Sequence, residues 1–202
     1  MGKNTVRSGS LKKSIILMDV ENIWFGILRA PDFEGVRKKN VLLRAAVVAL
    51  ERAVRSLENE VAERWGAIAI PPLFRSGPDG VSATTNSGRR EQVKRAVETL
   101  ADWGYNIVTV KEGGDAADNA LCRVGEAFLA NDEIKTVVLG TGDGKEPFAT
   151  LVSRFVEAGK KVHCISYCRT PLVIKRRGDV TYSLLVEEVR KILGASINAP
   201  TT

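Results

Sequence analysis

Two hydrophobic rhythms alternate along the chain. Short unbroken apolar runs, of the kind a parallel sheet buries on both faces, are separated by longer segments whose apolar residues recur every three or four positions. Residues 14–19 form the first run and predict strand one. Glu21 to about Arg29 predicts a short helix carrying Ile23, Trp24, Phe25 and Leu28, ended by Pro31-Asp32. Asn40 serves as N-cap for a long helix through about Asn59, on which Leu42, Leu43, Ala46, Val47, Leu50, Val54 and Leu57 share a face. Trp65 to Phe74 gives strand two, Ala67 to Ile70, interrupted by Pro71-Pro72, which puts a strand end or an edge there.

From Arg75 to Gly88 the chain is rich in Gly, Ser, Thr, Asn and Pro and predicts a surface loop. The alternation then resumes. Arg89 to Trp103 is a helix closed by Gly104, Tyr105 to Val110 strand three, Asp115 to Ala130 a helix and Thr136 to Leu139 strand four. Glu146 to Ala158 is a helix ended by Gly159, and Lys161 to Tyr167 is strand five. Leu172 to Ile174 is a short helix or strand, Lys175-Arg176-Arg177-Gly178 a basic turn, and Thr181 to Leu193 a final amphipathic helix.

Alternating strands and helices predict an α/β, Rossmannoid three-layer α/β/α fold with a central, mostly parallel sheet of five to six strands. Residues 14–193 make one domain, with a basic polar tail over 1–13 and a second tail over 194–202. At 202 residues and 44% hydrophobic residues the chain can bury a substantial core. No stretch approaches the roughly 18 apolar residues of a membrane span, and the first 13 residues lack the apolar segment of a secretory signal, so a cytoplasmic location without membrane contact is expected. Cys122, Cys164 and Cys168 are an odd set, which suits a reducing compartment. With His163 they have the composition of a zinc site, but one cysteine falls in a predicted helix and another in a strand, where small buried side chains are the simpler reading.

In a parallel sheet every strand points its C-terminal end to the same edge, where ligands bind. Asp19 ends strand one, Asp143 follows strand four, and Asp115 and Asp118 lie where strand three leads into its helix. These acids are expected to converge, with Asn22 adding an amide. Clustered carboxylates raise one another's pKa unless a cation neutralises them. Oxygen ligands without His or Cys suit Mg²⁺ or Mn²⁺. Each acid also has a plainer role: Asp19 and Asp115 as helix caps, Asp118 as a first-turn acid, Asp143 as a turn residue in Gly-Asp-Gly. Gly140-x-Gly142-x-Gly144-Lys145 matches neither the P-loop spacing nor G-x-G-x-x-G.

Three motifs in order resemble the NYN domains, the LabA-like branch of the PIN-like nuclease fold. They are Asp19-Val20-Glu21-Asn22 at a strand end, Lys111 leading to an acid at a helix start, and Gly140-Thr141-Gly142-Asp143 before Phe148, followed by Gly159-Lys160-Lys161-Val162. Asp118-Asn119-Ala120-Leu121 fits the middle motif's Asp-x-x-Leu register better than Asp115 does. The resemblance covers about residues 14–167 and implies a metal-dependent ribonuclease. In that reading Asp19, Asp143 and one or both of Asp115 and Asp118 bind Mg²⁺ or Mn²⁺, with Asn22 in support. The chain departs from the family at the second acid of the third motif, where Pro147 stands; Glu146 is the nearest carboxylate able to replace it.

The formal net charge of +6 and pI of about 9.3 suit a polyanionic partner. Arg37, Lys38, Lys39, Arg75, Arg89, Arg90, Lys94 and Lys145 are the expected contacts to single-stranded or structured RNA, against the plainer reading of solvated helix faces. Trp24 and Phe25 offer stacking surfaces for a base or, more simply, core packing. A homodimer stays open. Two other readings also stay open: a nuclease-derived domain that binds RNA or a protein partner without cutting, and a metal-dependent phosphatase.

Overall fold

A computed structural model describes residues 12–34, 36, 39–57, 59–76, 83–142, 146–166 and 180–194. The elements in chain order are β1 (Lys12–Asp19), a π-helical turn (Glu21–Phe25) continuing as α1 (Gly26–Arg29), a 3-10 turn (Pro31–Phe33), α2 (Lys39–Ser56), β2 (Asn59–Ile70), β3 (Phe74–Ser76) and β4 (Ala83–Thr85). Then come α3 (Ser87–Asp102), β5 (Asn106–Lys111), α4 (Ala116–Glu126), β6 (Ile134–Gly140), α5 (Phe148–Glu157), β7 (Lys161–Ser166), β8 (Val180–Leu184) and α6 (Leu185–Leu193).

Six strands form one all-parallel sheet in the order β5-β2-β1-β6-β7-β8, and β3 and β4 pair separately as an antiparallel hairpin. The chain starts in the middle, builds outward to β5, then returns to the other side of β1. The direction of winding therefore reverses between β1 and β6, and a crevice opens at their C-terminal ends.

Strand alternation sorts the core into two halves. Ile16, Met18, Ile68, Val138 and Ile165 face α2, α3, α6 and the helical segment after β1. Ile15, Leu17, Val137, Leu139 and Cys164 face α4 and α5. The architecture is thus the three-layer α/β/α expected from the sequence. Trp24 packs into the first half at 6% exposure, so its role is core packing. Among the described residues no helix is long and apolar enough to cross a membrane.

Four boundaries differ from the sequence reading. β1 begins at Lys12, inside the expected tail, where Lys13 pairs with Glu133 at 2.6 Å. β2 spans 12 residues and starts at Asn59, because α2 stops at Ser56 and the alternating segment after it pairs with β1. The expected loop after Phe74 contains the β3–β4 hairpin. Residues 181–184, expected as the start of the final helix, belong to β8 beside β7; Val180, Thr181 and Tyr182 are strand formers, and the helix starts only at Leu185. Leu172 to Ile174, the basic turn over 175–178 and Cys168 lie outside the described residues.

Candidate active site at the sheet's switch point

β1 delivers Asp19 to the crevice. The strand is fully buried from Ser14 onward, and its period-two alternation turns Asp19 to the α4–α5 side, with Ile15 and Leu17. Asp19 is 1% exposed. Its Oδ1 accepts the backbone N–H of Asn22 at 3.2 Å, three residues on, so it caps the helical turn that follows. Its Oδ2 accepts from Asn22 Nδ2 and from Thr141 Oγ1, the latter at 3.0 Å. The cap and the site are therefore the same carboxylate. Burial pushes its pKa up to about 6; the bonds from Asn22 and Thr141 oppose that rise without cancelling it, and nearby Glu21 adds to it. The π-helical turn directly after Asp19 is a local irregularity of a kind frequent at functional sites.

Thr141 is the residue the sequence reading did not single out. It is 2% exposed, and its backbone N–H donates to Ile165 O at 3.0 Å, which fixes it against the end of β7. Met18 pairs with Gly140, so the next residues, Asp19 and Thr141, are neighbours across the β1–β6 boundary. The available signal was positional: Thr141 follows a buried strand by one residue and shares the side of Val137 and Leu139.

The second acid comes from α4. Asp115 occupies the N-cap position of that helix with no side-chain cap bond, and it is exposed. Asp118 is half-buried in the first turn, and its charge helps raise both the Glu21 carboxyl and the Cys122 thiol. The Cys122 thiol is pushed up to about 12, first by burial and then by Asp118, Glu126, Asp19 and Glu146. Asp118, Glu126, Asp19 and Glu146 thus all act through space on one buried sulfur. A cleft of about 470 Å³ opens beside that sulfur between α4 and α5, with Asn119, Arg123, Glu126 and Glu146 on its walls. Among the described residues no three Asp, Glu, His or Cys side chains come together as a metal-binding group. Asp143 and Lys145 lie outside the described residues.

Expected RNA contacts are placed unevenly. Arg37 and Lys38 are also outside the described residues; Lys39 opens α2, and Arg75 is in β3. Arg89 bonds Glu112 at 2.7 Å and Glu21 at 3.4 Å and lies over the Phe25 ring at 5.8 Å. Arg90 donates to Pro71 O at 2.8 Å, and exposed Lys94 pairs with Glu98 at 3.9 Å. Glu21 and Glu112, absent from the expected site, therefore belong to its rim. Arg90, Pro71, Pro72, Lys111 and Glu112 also line a groove of about 540 Å³ at the ends of β2 and β5.

Among the described residues, His163 does not meet Cys122 and Cys164 in a metal-binding group. His163 lies between Thr181 Oγ1 at 2.7 Å and Ser183 Oγ at 2.6 Å on β8, while Cys122 and Cys164 are free and buried in the other half of the core.

Fold and site together define a doubly wound α/β protein with a buried acid at its switch point. Comparison with protein-family models, curated proteins and solved structures gave no match.

Proposed function

We propose that this chain is a metal-dependent ribonuclease of the NYN kind, hydrolysing RNA phosphodiester bonds at the C-terminal ends of β1 and β6. The observation that carries the reading is Asp19: a carboxyl held by three hydrogen bonds, at 1% exposure, in the crevice where this class of sheet binds ligands. A buried acid with a raised pKa and other acids nearby is poised for a cation. The donor chemistry fits a hard divalent ion: carboxylate oxygens with no imidazole among them. Asp19, Asp118 and Asp143 would hold it, with Glu146 beside them and Asp115 farther out.

A bound Mg²⁺ or Mn²⁺ supplies water activation and charge stabilisation at phosphorus. The protein's own part is orientation. Asn22 and Thr141 fix the rotation of the Asp19 carboxyl, and Asp118 and Glu146 keep the crevice negative where a metal is wanted. Arg89, Arg90 and Lys94 sit on α3, beside the same edge, where they serve a phosphate backbone.

The test is cleavage of a labelled single-stranded RNA by the full chain in Mn²⁺ or Mg²⁺. The wild type cuts and EDTA stops it, whereas Asp19→Asn, Asp118→Asn and Asp143→Asn each lose at least about a hundredfold with their far-UV circular dichroism unchanged. Activity persisting in rigorously purified Asp19→Asn would overturn the assignment. Pro147 in place of the family's second acid favours one other reading, a domain that binds RNA without cutting it. Salt-sensitive RNA binding with no cleavage in either metal selects that alternative.

A further inference from the structure

Arg89 lies on the rim beside the buried acid. Its Nη1 donates to Glu112 Oε1 at 2.7 Å and its Nη2 to Glu21 Oε1 at 3.4 Å. Glu21 is two residues beyond Asp19, so the guanidinium is tied to the same turn. Phe25, in that turn, supports it from the ring face at 5.8 Å. Arg89 draws the Glu21 carboxyl down, while Glu112 and Asp118 act on that same carboxyl in the opposite direction.

The bonding is not that of a structural clamp. A planar guanidinium matches one carboxylate or phosphate through two parallel bonds. Here the two N–H groups go to different carboxylates, and two of five donors are used. The side chains are 35%, 28% and 22% exposed for Arg89, Glu21 and Glu112, and part-exposed pairs of this kind hold weakly. A phosphodiester can present two oxygens to the fork at once, a bidentate match that neither glutamate makes here.

We infer that Arg89 is a gated phosphate-binding cation: Glu112 and Glu21 hold it in the free protein, and an incoming RNA phosphate draws it away from Glu112. This rests on the ribonuclease reading and adds a competition built into its substrate path. Glu112 sets the threshold, and Phe25 keeps the guanidinium near the site while it changes partners.

Fluorescence anisotropy of a labelled oligouridylate with the full chain, in EDTA to prevent cleavage, tests it. Glu112→Gln tightens binding at least about threefold. Arg89→Ala weakens it at least about threefold and makes the slope of log K against log salt shallower by about 0.7, one phosphate contact on a single strand. The decisive measurement is the double variant: the gain from Glu112→Gln disappears when Arg89 is Ala. An equal gain in both backgrounds shows a general charge effect and overturns the gate, as does an Arg89→Ala slope equal to the wild type's. Arg89→Gln removes the charge but keeps most of the side chain, and it replaces the alanine variant if that fails to fold; the Glu112→Gln gain disappears in that background too. A wild type that binds no oligouridylate removes the ribonuclease reading and the gate with it, whereas binding without coupling overturns the gate alone.

Discussion

Replacing Asp19 by Asn removes a charge that the fold holds at a cost. Burial moves this carboxyl from 3.8 to about 6. A difference of about 2 units corresponds to about 3 kcal/mol at 1.36 kcal/mol per unit. The sign follows from proton uptake. Between the unfolded and folded pKa values the native state binds more protons than the unfolded chain, so stability falls as pH rises through that interval. The favourable contribution of the neutral acid is fully present below about pH 4 and lost above about pH 6. Asn is isosteric, stays neutral, and can satisfy the same neighbours because the Thr141 hydroxyl rotates and the Asn22 amide flips. Urea unfolding of both proteins at half-unit steps from pH 4 to pH 8, without divalent metal, gives the difference directly. Asp19→Asn gains on the wild type by about 3 kcal/mol across that range, roughly 6–12 °C in melting temperature for a domain of this size, and the gain levels off above pH 7. Added Mn²⁺ then stabilises the wild type but not the variant. A stability difference that stays flat with pH would refute the idea that Asp19 is desolvated in the apo protein.

Three further outcomes follow from the packing. A Cβ at Gly125 would meet Leu151 Cδ2 at 2.9 Å and Leu17 Cδ1 at 3.0 Å, so Gly125→Val pushes α4 off β1 and α5 and costs about 1–3 kcal/mol in denaturant unfolding. Burial lifts the thiols of Cys122 and Cys164 to about 12; in a Cys168→Ser background neither takes up iodoacetamide at pH 7.5 until urea is added, as mass spectrometry will read. Arg64 meets Glu51 at 2.5 Å, and Glu51 is 8% exposed; Arg64→Met strands that carboxylate and costs about 3 kcal/mol in thermal unfolding, while Glu51→Gln/Arg64→Met together cost less than the single change.

The strands that were legible in the sequence are those buried on both faces. β1 and β6 have unbroken apolar runs because helices cover both sides of them, and β7 has Val162, Cys164 and Ile165 shortly after the glycine that ends α5. β2 was read only over Ala67–Ile70, since Asn59–Arg64 alternates charge with Val61, Ala62 and similar residues and merges with the charged end of α2. β8 was absorbed into α6 for the opposite reason: its apolar residues continue a good amphipathic pattern, and only pairing with β7 makes Val180–Leu184 extended. The strand order was out of reach, because periodicity says which face is buried and not which strand lies alongside. In the site, Asp19 and Asn22 were readable as an acid and an amide at the end of a buried run. Thr141 was not, since a threonine after a strand has no distinctive chemistry until β1 is placed beside β6. The contacts of Arg89 with Glu21 and Glu112 span 68 and 23 residues, which no local pattern carries. Arg89 was thus legible only as a simple cation, and its two carboxylate partners emerged only with the fold.

Lys160 shows what the opposite end of the sheet is for. It is 6% exposed, just before β7, and its ammonium donates to Asn131 O at 2.7 Å and Ile134 O at 2.9 Å, closing off the turn that feeds β6. By register this lies near Ser14, five strand residues from Asp19 or roughly 17 Å. One end of the sheet is thus fastened by a buried cation and backbone carbonyls, and the other holds the buried Asp19. Sites so far apart vary almost independently. The loops at the Asp19 end can accordingly be lengthened or recharged while the fastening at Lys160 keeps the strands in register, without a new fold having to be stabilised each time.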